Sequence, residues 1–182
     1  MDIYFVRHGQ VDSNLKKVYN YEGEKLNENG IRQANQLREK IKEIKYDLII
    51  ASPLPRTKQT AEIINIHNKK IIFDDRLEER NPGDLAGKDL ESIDREEYWN
   101  YYSDTQYGSS ENIRKFFERV YEFINELKNK DYKSIIIVAH NGVSKAFYTY
   151  FNGMPEDGKL LKIETKNTEV VRYYKENNNI CE

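Results

Sequence analysis

Two apolar, β-branched runs each lead straight into a histidine. Ile3-Tyr4-Phe5-Val6 runs into Arg7-His8-Gly9, and Ile135-Ile136-Ile137-Val138-Ala139 runs into His140. Short, near-continuous apolar runs read as strands buried on both faces, the mark of a parallel sheet. In an open α/β sheet, ligands bind in the crevice outside the carboxyl ends of the strands. The chain has only three histidines, so two at strand exits are informative. The pattern places two imidazoles, an arginine and two glycine-bearing turns (Gly9, Gly142) in one crevice, suited to holding and attacking a phosphate.

Between these runs, strand and helix signals alternate. Residues 2–6 read as the first strand. Residues 29–44 carry Ile31, Ala34, Leu37, Ile41 and Ile44 as a helical stripe. A short apolar run at 46–51 precedes a helix at 55–66, and 71–73 reads as another short strand. Helices are expected over 92–102 and 112–127, the latter with Ile113, Phe116, Phe117, Val120 and Ile124 on one face. Residues 134–139 form the strand that feeds His140, with a helix over 143–151 behind it. Residues 160–165 and 169–174 are expected as a terminal hairpin or two sheet-edge strands. The alternation predicts an α/β three-layer αβα sandwich, a mostly parallel sheet with helices on both faces. Residues 1–182 are expected to form a single domain, since a domain takes roughly 150 residues and no repeat or linker interrupts the chain. The weakly patterned stretch 81–110 reads as an excursion over the functional edge, where substrate selection usually sits.

Charged residues make up 33% of the chain and nearly balance to a net charge of −2, which argues against binding nucleic acid through bulk basicity. No apolar stretch approaches the roughly 20 residues of a membrane span, and no secretory leader is evident. Cys181, the only cysteine, reads as a tail residue of a protein from a reducing compartment. A cytoplasmic protein is expected, monomer or homodimer, with no nucleic-acid or membrane partner. The tyrosines at Tyr98, Tyr101, Tyr102, Tyr148 and Tyr150 read as half-buried anchors in preference to a substrate cleft.

Four elements carry candidate chemistry. A histidine in the position of His8 is a core residue, a metal ligand or a nucleophile. Arg7 beside it opposes a metal and suits an anion, Gly9 allows close backbone approach, and Asn14 offers an amide. Ser52-Pro53-Leu54-Pro55-Arg56 opens the helix after the second strand, and Arg56 in its first turn is poorly placed by the dipole argument. It is either a solvated surface arginine or a group that faces an anion. Glu78 and Glu79 stand in a charged loop, where glutamates are usually solvated, but a phosphatase built on histidine needs a proton donor. His140-Asn141-Gly142 forms a turn into a helix whose free N–H groups favour an anion.

Taken in order, these elements resemble the histidine phosphatase superfamily, the phosphoglycerate mutase-like family. Arg7-His8-Gly9 with Asn14 resembles its R-H-G-x-x-x-x-N opening. Leu26-Asn27-Glu28-Asn29-Gly30 with Gln33-Ala34 resembles L-T-x-x-G-x-x-Q-A. Ser52-x-Leu54-x-Arg56 with Thr60-Ala61 resembles S-x-L-x-R-x-x-x-T-A, and Leu77-x-Glu79 with Gly83 and Gly87 resembles L-x-E-x-x-x-G-x-x-x-G. Val138-Ala139-His140-Asn141-Gly142 resembles the V-x-H-G-G turn. The chain departs at Asn20-Tyr21 (Gly-Trp in the family), at Gly23 (an aspartate), at Asn141 (the first glycine of the H-G-G turn), and at Ser110-Glu111-Asn112 (G-E-S), which leaves the role of Glu111 open.

The resemblance implies roles. His8 is the nucleophile that becomes phosphohistidine. Arg7, Arg56 and His140 clamp the phosphoryl oxygens, with Asn14, Asn141 and Gly142 in the phosphate site. Glu79 is the acid, and its neighbour Glu78 is solvated. Neither metal nor other cofactor is implied, because the clamp supplies the positive charge. The substrate implied is a small phosphorylated metabolite. The family's mutases carry an R-H-Y-G segment and a basic pair that grips the substrate carboxylate, and neither appears here. A phosphomonoesterase of the α-ribazole-phosphate or broad-specificity type is therefore implied ahead of a cofactor-dependent phosphoglycerate mutase. An inactive phospho-ligand-binding module is the third reading.

Overall fold

A computed structural model of the chain describes residues 1–174; Cys181 lies outside them. Strands β1 (Asp2–Arg7), β2 (Leu48–Ala51), β3 (Ile71–Phe73), β4 (Ser134–Ala139) and β5 (Val170–Tyr174) form one sheet in the order β3-β2-β4-β1-β5. The first four run parallel, and β5 lies antiparallel on β1. Successive strand residues point to opposite faces, and both faces are covered. Ile3, Phe5, Ile135 and Ile137 pack against α5 (Ile113–Leu127) and α6 (Asn141–Asn152). Val6, Ile49, Ile136 and Val138 pack against α2 (Glu28–Ile41) and α3 (Pro55–Ile64). The result is the αβα sandwich that the alternation of signals predicts. Among the described residues, no helix is long and apolar enough to cross a membrane.

The sheet's centre sets the position of the site. Arg7 pairs with Ala139 in register, and the His8 N–H donates to the Ala139 carbonyl at 3.0 Å, so both histidines leave the sheet side by side. The turn after β1, ahead of the short helix α1 (Asp12–Lys16), crosses the start of α2. A Cβ at Gly30 would lie 2.1 Å from the Gln10 carbonyl oxygen, and one at Gly9 would lie 2.5 Å from that of Gly30. Both glycines are needed for close backbone approach. Asn27 caps α2 by accepting the Gly30 N–H at 2.9 Å. Gln33 accepts the Gln10 N–H, and Thr60 on α3 accepts the Gly9 N–H. The motif residues that flank the histidine turn thus hold its backbone.

Two expected elements differ. The helix expected over 92–102 is one 3₁₀ turn, Leu90–Ser92, followed by the four-residue helix α4 (Arg95–Tyr98). Asp94 caps α4 through the Glu97 N–H, and the chain turns at Trp99 into a bridge between Asn100 and Lys159. Residues 160–165 form no strand. The carbonyls of Leu160, Leu161 and Ile163 accept from the buried Lys145 ammonium, so no ladder forms there, and β5 alone extends the sheet.

Candidate active site

His8 is 2% exposed, and its Nδ1 lies 2.7 Å from the Gly9 carbonyl oxygen. A carbonyl only accepts, so Nδ1 carries the proton and Nε2 of the neutral ring keeps its lone pair. Burial, then Arg56 and Arg7, hold the His8 pKa well below the usual histidine range. The ring of His140 meets that of His8 edge-on, with centroids 5.1 Å apart. His140 is fully buried and is also held well below its ordinary value, by burial and then by Arg56. Its Nε2 lies 2.9 Å from Ser52 Oγ. With the Ser52 hydroxyl as donor, the His140 proton sits on Nδ1, a buried atom without a hydrogen-bond partner among the described residues.

Arg56 is not a solvated surface residue. It is 1% exposed, and its Nη1 donates to the Tyr21 carbonyl at 3.0 Å. That contact uses backbone, so the Asn20-Tyr21 departure does not remove it. Arg7 donates through Nη1 to the Thr165 carbonyl at 2.7 Å. Burial pulls both guanidinium pKa values down, and the Nε atoms of both are buried without a partner among the described residues. Two cations held side by side with donors unspent are a costly arrangement that an anion relieves. Asn14 accepts from the Val11 N–H and from Asn167 Nδ2, which leaves its own amide N–H groups for a ligand.

Glu79 faces the same space from the other side. Its Oε2 accepts the Gly142 N–H at 3.0 Å, and its Oε1 accepts the Arg80 N–H at 2.9 Å. The Gly142 N–H, expected to be free for an anion, is thus engaged by the Glu79 carboxylate. The Asn141 side chain accepts the Thr165 N–H at 3.0 Å, so the residue replacing the first glycine of the turn ties down the segment that orients Arg7. Glu78 is half-buried, and burial with nearby Asp75 raises its pKa. The family-level expectation of a freely solvated Glu78 does not hold.

The structure also places residues to which the sequence reading gave no role. Arg119 on α5 donates to the carbonyls of Arg76, Glu78 and Glu79, and is itself held by both oxygens of Glu111 at 2.8 and 2.9 Å. Glu111 also accepts the Asn81 N–H, so this ion pair brackets the Glu79 loop on both sides. Arg80 is 4% exposed and stacks 3.8 Å from the centre of the Tyr98 ring. A helical-spacing signal existed for Arg119, which falls three after Phe116 and four before Phe123 and so shares their buried stripe.

A cleft of about 590 Å³ opens over these groups, lined by Arg7, His8, Asn14, Arg56, Glu79 and Asn141. His140 contacts His8 but does not line the cleft. Tyr19, Arg95, Tyr98 and Trp99 also line it, and all but Tyr19 come from the 81–110 excursion. Of the tyrosines expected as anchors, buried Tyr98 does both jobs, packing in the core and lining the cleft, while Tyr102 and Tyr148 are exposed.

A buried imidazole with a free Nε2, near two arginines and a carboxylate at the head of a parallel sheet, gives this α/β protein a site chemically suited to a phosphoryl group. Sequence comparison gives the family. Residues 3–180 match the histidine phosphatase superfamily (branch 1), and the chain belongs to it. It is 35% identical over 156 residues to the uncharacterized phosphatase PhoE of Bacillus subtilis, covering 83% of this chain and 77% of that one. The adenosylcobalamin/alpha-ribazole phosphatase of Escherichia coli is 28% identical over 166 residues, covering 86% and 82%. The crystal structure of the alpha-ribazole phosphatase from Shigella flexneri superposes with a TM-score of 0.75 at 26% identity, over 85% of this chain and 81% of that one.

Proposed function

We propose that the chain hydrolyses phosphomonoesters of small metabolites through a phosphohistidine on His8, without a metal ion. The observation that carries this reading is the Nδ1 contact of His8 with the Gly9 carbonyl, which leaves Nε2 as a neutral nucleophile between Arg7 and Arg56. The substrate phosphate lies between the two guanidiniums and the Asn14 amide, while His140, behind the cleft wall, backs the nucleophile by packing edge-on against His8. Nε2 attacks phosphorus as the bond to the ester oxygen breaks, and protonated Glu79 gives its proton to that departing oxygen. Water then attacks phosphohistidine in line, Glu79 takes its proton, and inorganic phosphate leaves. Fixed positive charge from Arg7 and Arg56 stabilises the equatorial oxygens throughout. Each Glu79 oxygen accepts one N–H and retains a lone pair for the travelling proton.

Similarity to the phosphatase PhoE and to the adenosylcobalamin/alpha-ribazole phosphatase of Escherichia coli supports a phosphatase of the α-ribazole-phosphate or broad-specificity type. A screen of phosphorylated metabolites scored by free phosphate tests this, with one phosphate expected per ester cleaved. Acid-quenched enzyme should carry an acid-labile, base-stable phosphate that His8→Ala lacks, and label persisting on that variant refutes the nucleophile. Activity should survive exhaustive chelation and fall with vanadate; loss to chelator with rescue by a divalent ion refutes metal independence. Primer-dependent interconversion of phosphoglycerate isomers with little free phosphate would place the chain among the mutases.

A further inference from the structure

Lys145 is a buried cation that the proposed mechanism leaves unused. It sits on α6, five residues past His140, and is 1% exposed. Its Nζ donates to the carbonyls of Leu160 at 2.9 Å, Leu161 at 3.3 Å and Ile163. The Trp99 ring lies 5.2 Å from the same nitrogen, and no carboxylate pairs with it among the described residues. The segment it holds runs on into Glu164, which lines the cleft, and Thr165. The Thr165 carbonyl accepts from Arg7 Nη1, and its N–H donates to Asn141 Oδ1. One ammonium thus fixes the stretch of backbone that aims a guanidinium of the phosphate clamp.

We propose that Lys145 is a positioning residue for phosphate binding: its ammonium pins residues 160–163 and, through Thr165, sets Arg7, so that affinity for phosphate depends on Lys145 being charged. The proposal rests on the reading of the cleft as a phosphate site. An ammonium has three donors, one for each carbonyl; the neutral amine has two and a lone pair that would face a carbonyl oxygen. Leu160 also accepts the Ile163 N–H, so the loss of one donor either leaves the Leu161 or Ile163 carbonyl short or turns the amine lone pair onto the Leu160 oxygen, which the segment relieves by moving. Burial brings Lys145 down to about 8, with Glu164 and Glu79 opposing and Arg7 and Arg95 reinforcing the shift. The charged form therefore holds the segment below about pH 8 and is lost above it. By linkage, phosphate beside Arg7 must in turn favour the charged lysine.

Isothermal calorimetry with inorganic phosphate, from about pH 6.5 to about pH 10, reads this directly. Phosphate is already a dianion above the Lys145 midpoint, so its own ionisation does not produce the break. The wild-type affinity should fall about tenfold as Lys145 deprotonates. Lys145→Arg, which stays charged, should keep its affinity across that range, whereas Lys145→Met should bind weakly at every pH. A measurement without any variant accompanies these: the NMR titration of the Lys145 side chain should share its midpoint with the break in affinity, and phosphate should raise that midpoint. Wild-type affinity that is flat through the lysine midpoint, or the same alkaline loss in Lys145→Arg, overturns the proposal. A wild-type chain that binds phosphate at no pH overturns the phosphate reading of the cleft, and this proposal with it.

Discussion

At Gly142 a single added methyl group would collide with the Glu79 carboxylate. A Cβ there would lie 2.0 Å from Glu79 Oε1 and 2.8 Å from the Trp99 ring, so Gly142→Ala must push the Glu79 carboxylate out of place. Glu79→Gln removes the proposed proton donor and should lower turnover of alkyl phosphates by roughly 10²–10⁴. The loss should shrink for a nitrophenyl ester, whose leaving group needs little protonation. Gly142→Ala should show the same dependence on leaving group with a smaller fall, and Glu78→Gln should show none. Steady-state kinetics on the two ester types check all three, and an equal loss on both esters from Glu79→Gln would contradict the role of the acid. The residues involved were legible unevenly. His8, Arg56 and Glu79 stand out because short motifs fix them at strand ends. Arg80, Arg119 and Lys145 did not, because a charge in a helical or loop pattern reads as solvated unless its buried partners are known, and here those partners are backbone carbonyls far away in sequence.

At the level of elements, α5 does more than cover the sheet. Its apolar stripe packs in the core, while Arg119 from the same face reaches the Glu79 loop and meets Glu111 just before the helix begins. Arg119→Met should leave three carbonyls and the Glu111 carboxylate without their donor, at a cost of about 1–3 kcal/mol in stability. It should also lower turnover with the leaving-group signature of Glu79, because the loop that carries the acid loses its anchor. Arg119→Lys should rescue little, since a point charge cannot serve two carboxylate oxygens and three carbonyls at once. Urea unfolding and paired-ester kinetics measure the two effects; lost stability with unchanged acid chemistry would make Arg119 a purely structural residue. The strands and long helices were legible because each buries a face of regular period. Residues 160–165 misled because Leu160, Leu161 and Ile163 have strand-like composition while their carbonyls bond to a side chain and the Ile163 N–H turns back to Leu160. The helix at 92–102 stops early because Tyr98 and Trp99 turn inward, to Arg80 and to the cleft.

Across the whole molecule, the buried pair of His8 and His140 sets a limit on acid stability. His8 and His140 are buried together against Arg7 and Arg56, and burial followed by those cations keeps both neutral in the folded chain. In the unfolded chain each takes up a proton as pH falls through about 6.5. The unfolded state then binds more protons than the folded one, so unfolding free energy decreases with falling pH in that window. The slope approaches about 1.4 kcal/mol per pH unit for each histidine that stays neutral. Asp74 and Glu126, whose pKa values are lowered by Arg76 and by Lys130 and Arg76, act in the separate window below the ordinary carboxylate range. Urea unfolding between about pH 7.5 and about pH 5 should therefore show stability falling above the window of Asp74 and Glu126, with Glu78, raised by burial, opposing part of the fall because its proton binds first in the folded chain. The double variant His8→Gln, His140→Gln should flatten that part of the curve, and inorganic phosphate should raise it by neutralising the arginines when bound to the fold. A slope that survives in the double variant would mean that both imidazoles already accept protons in the native state, which would remove the neutral nucleophile on which the proposed chemistry depends.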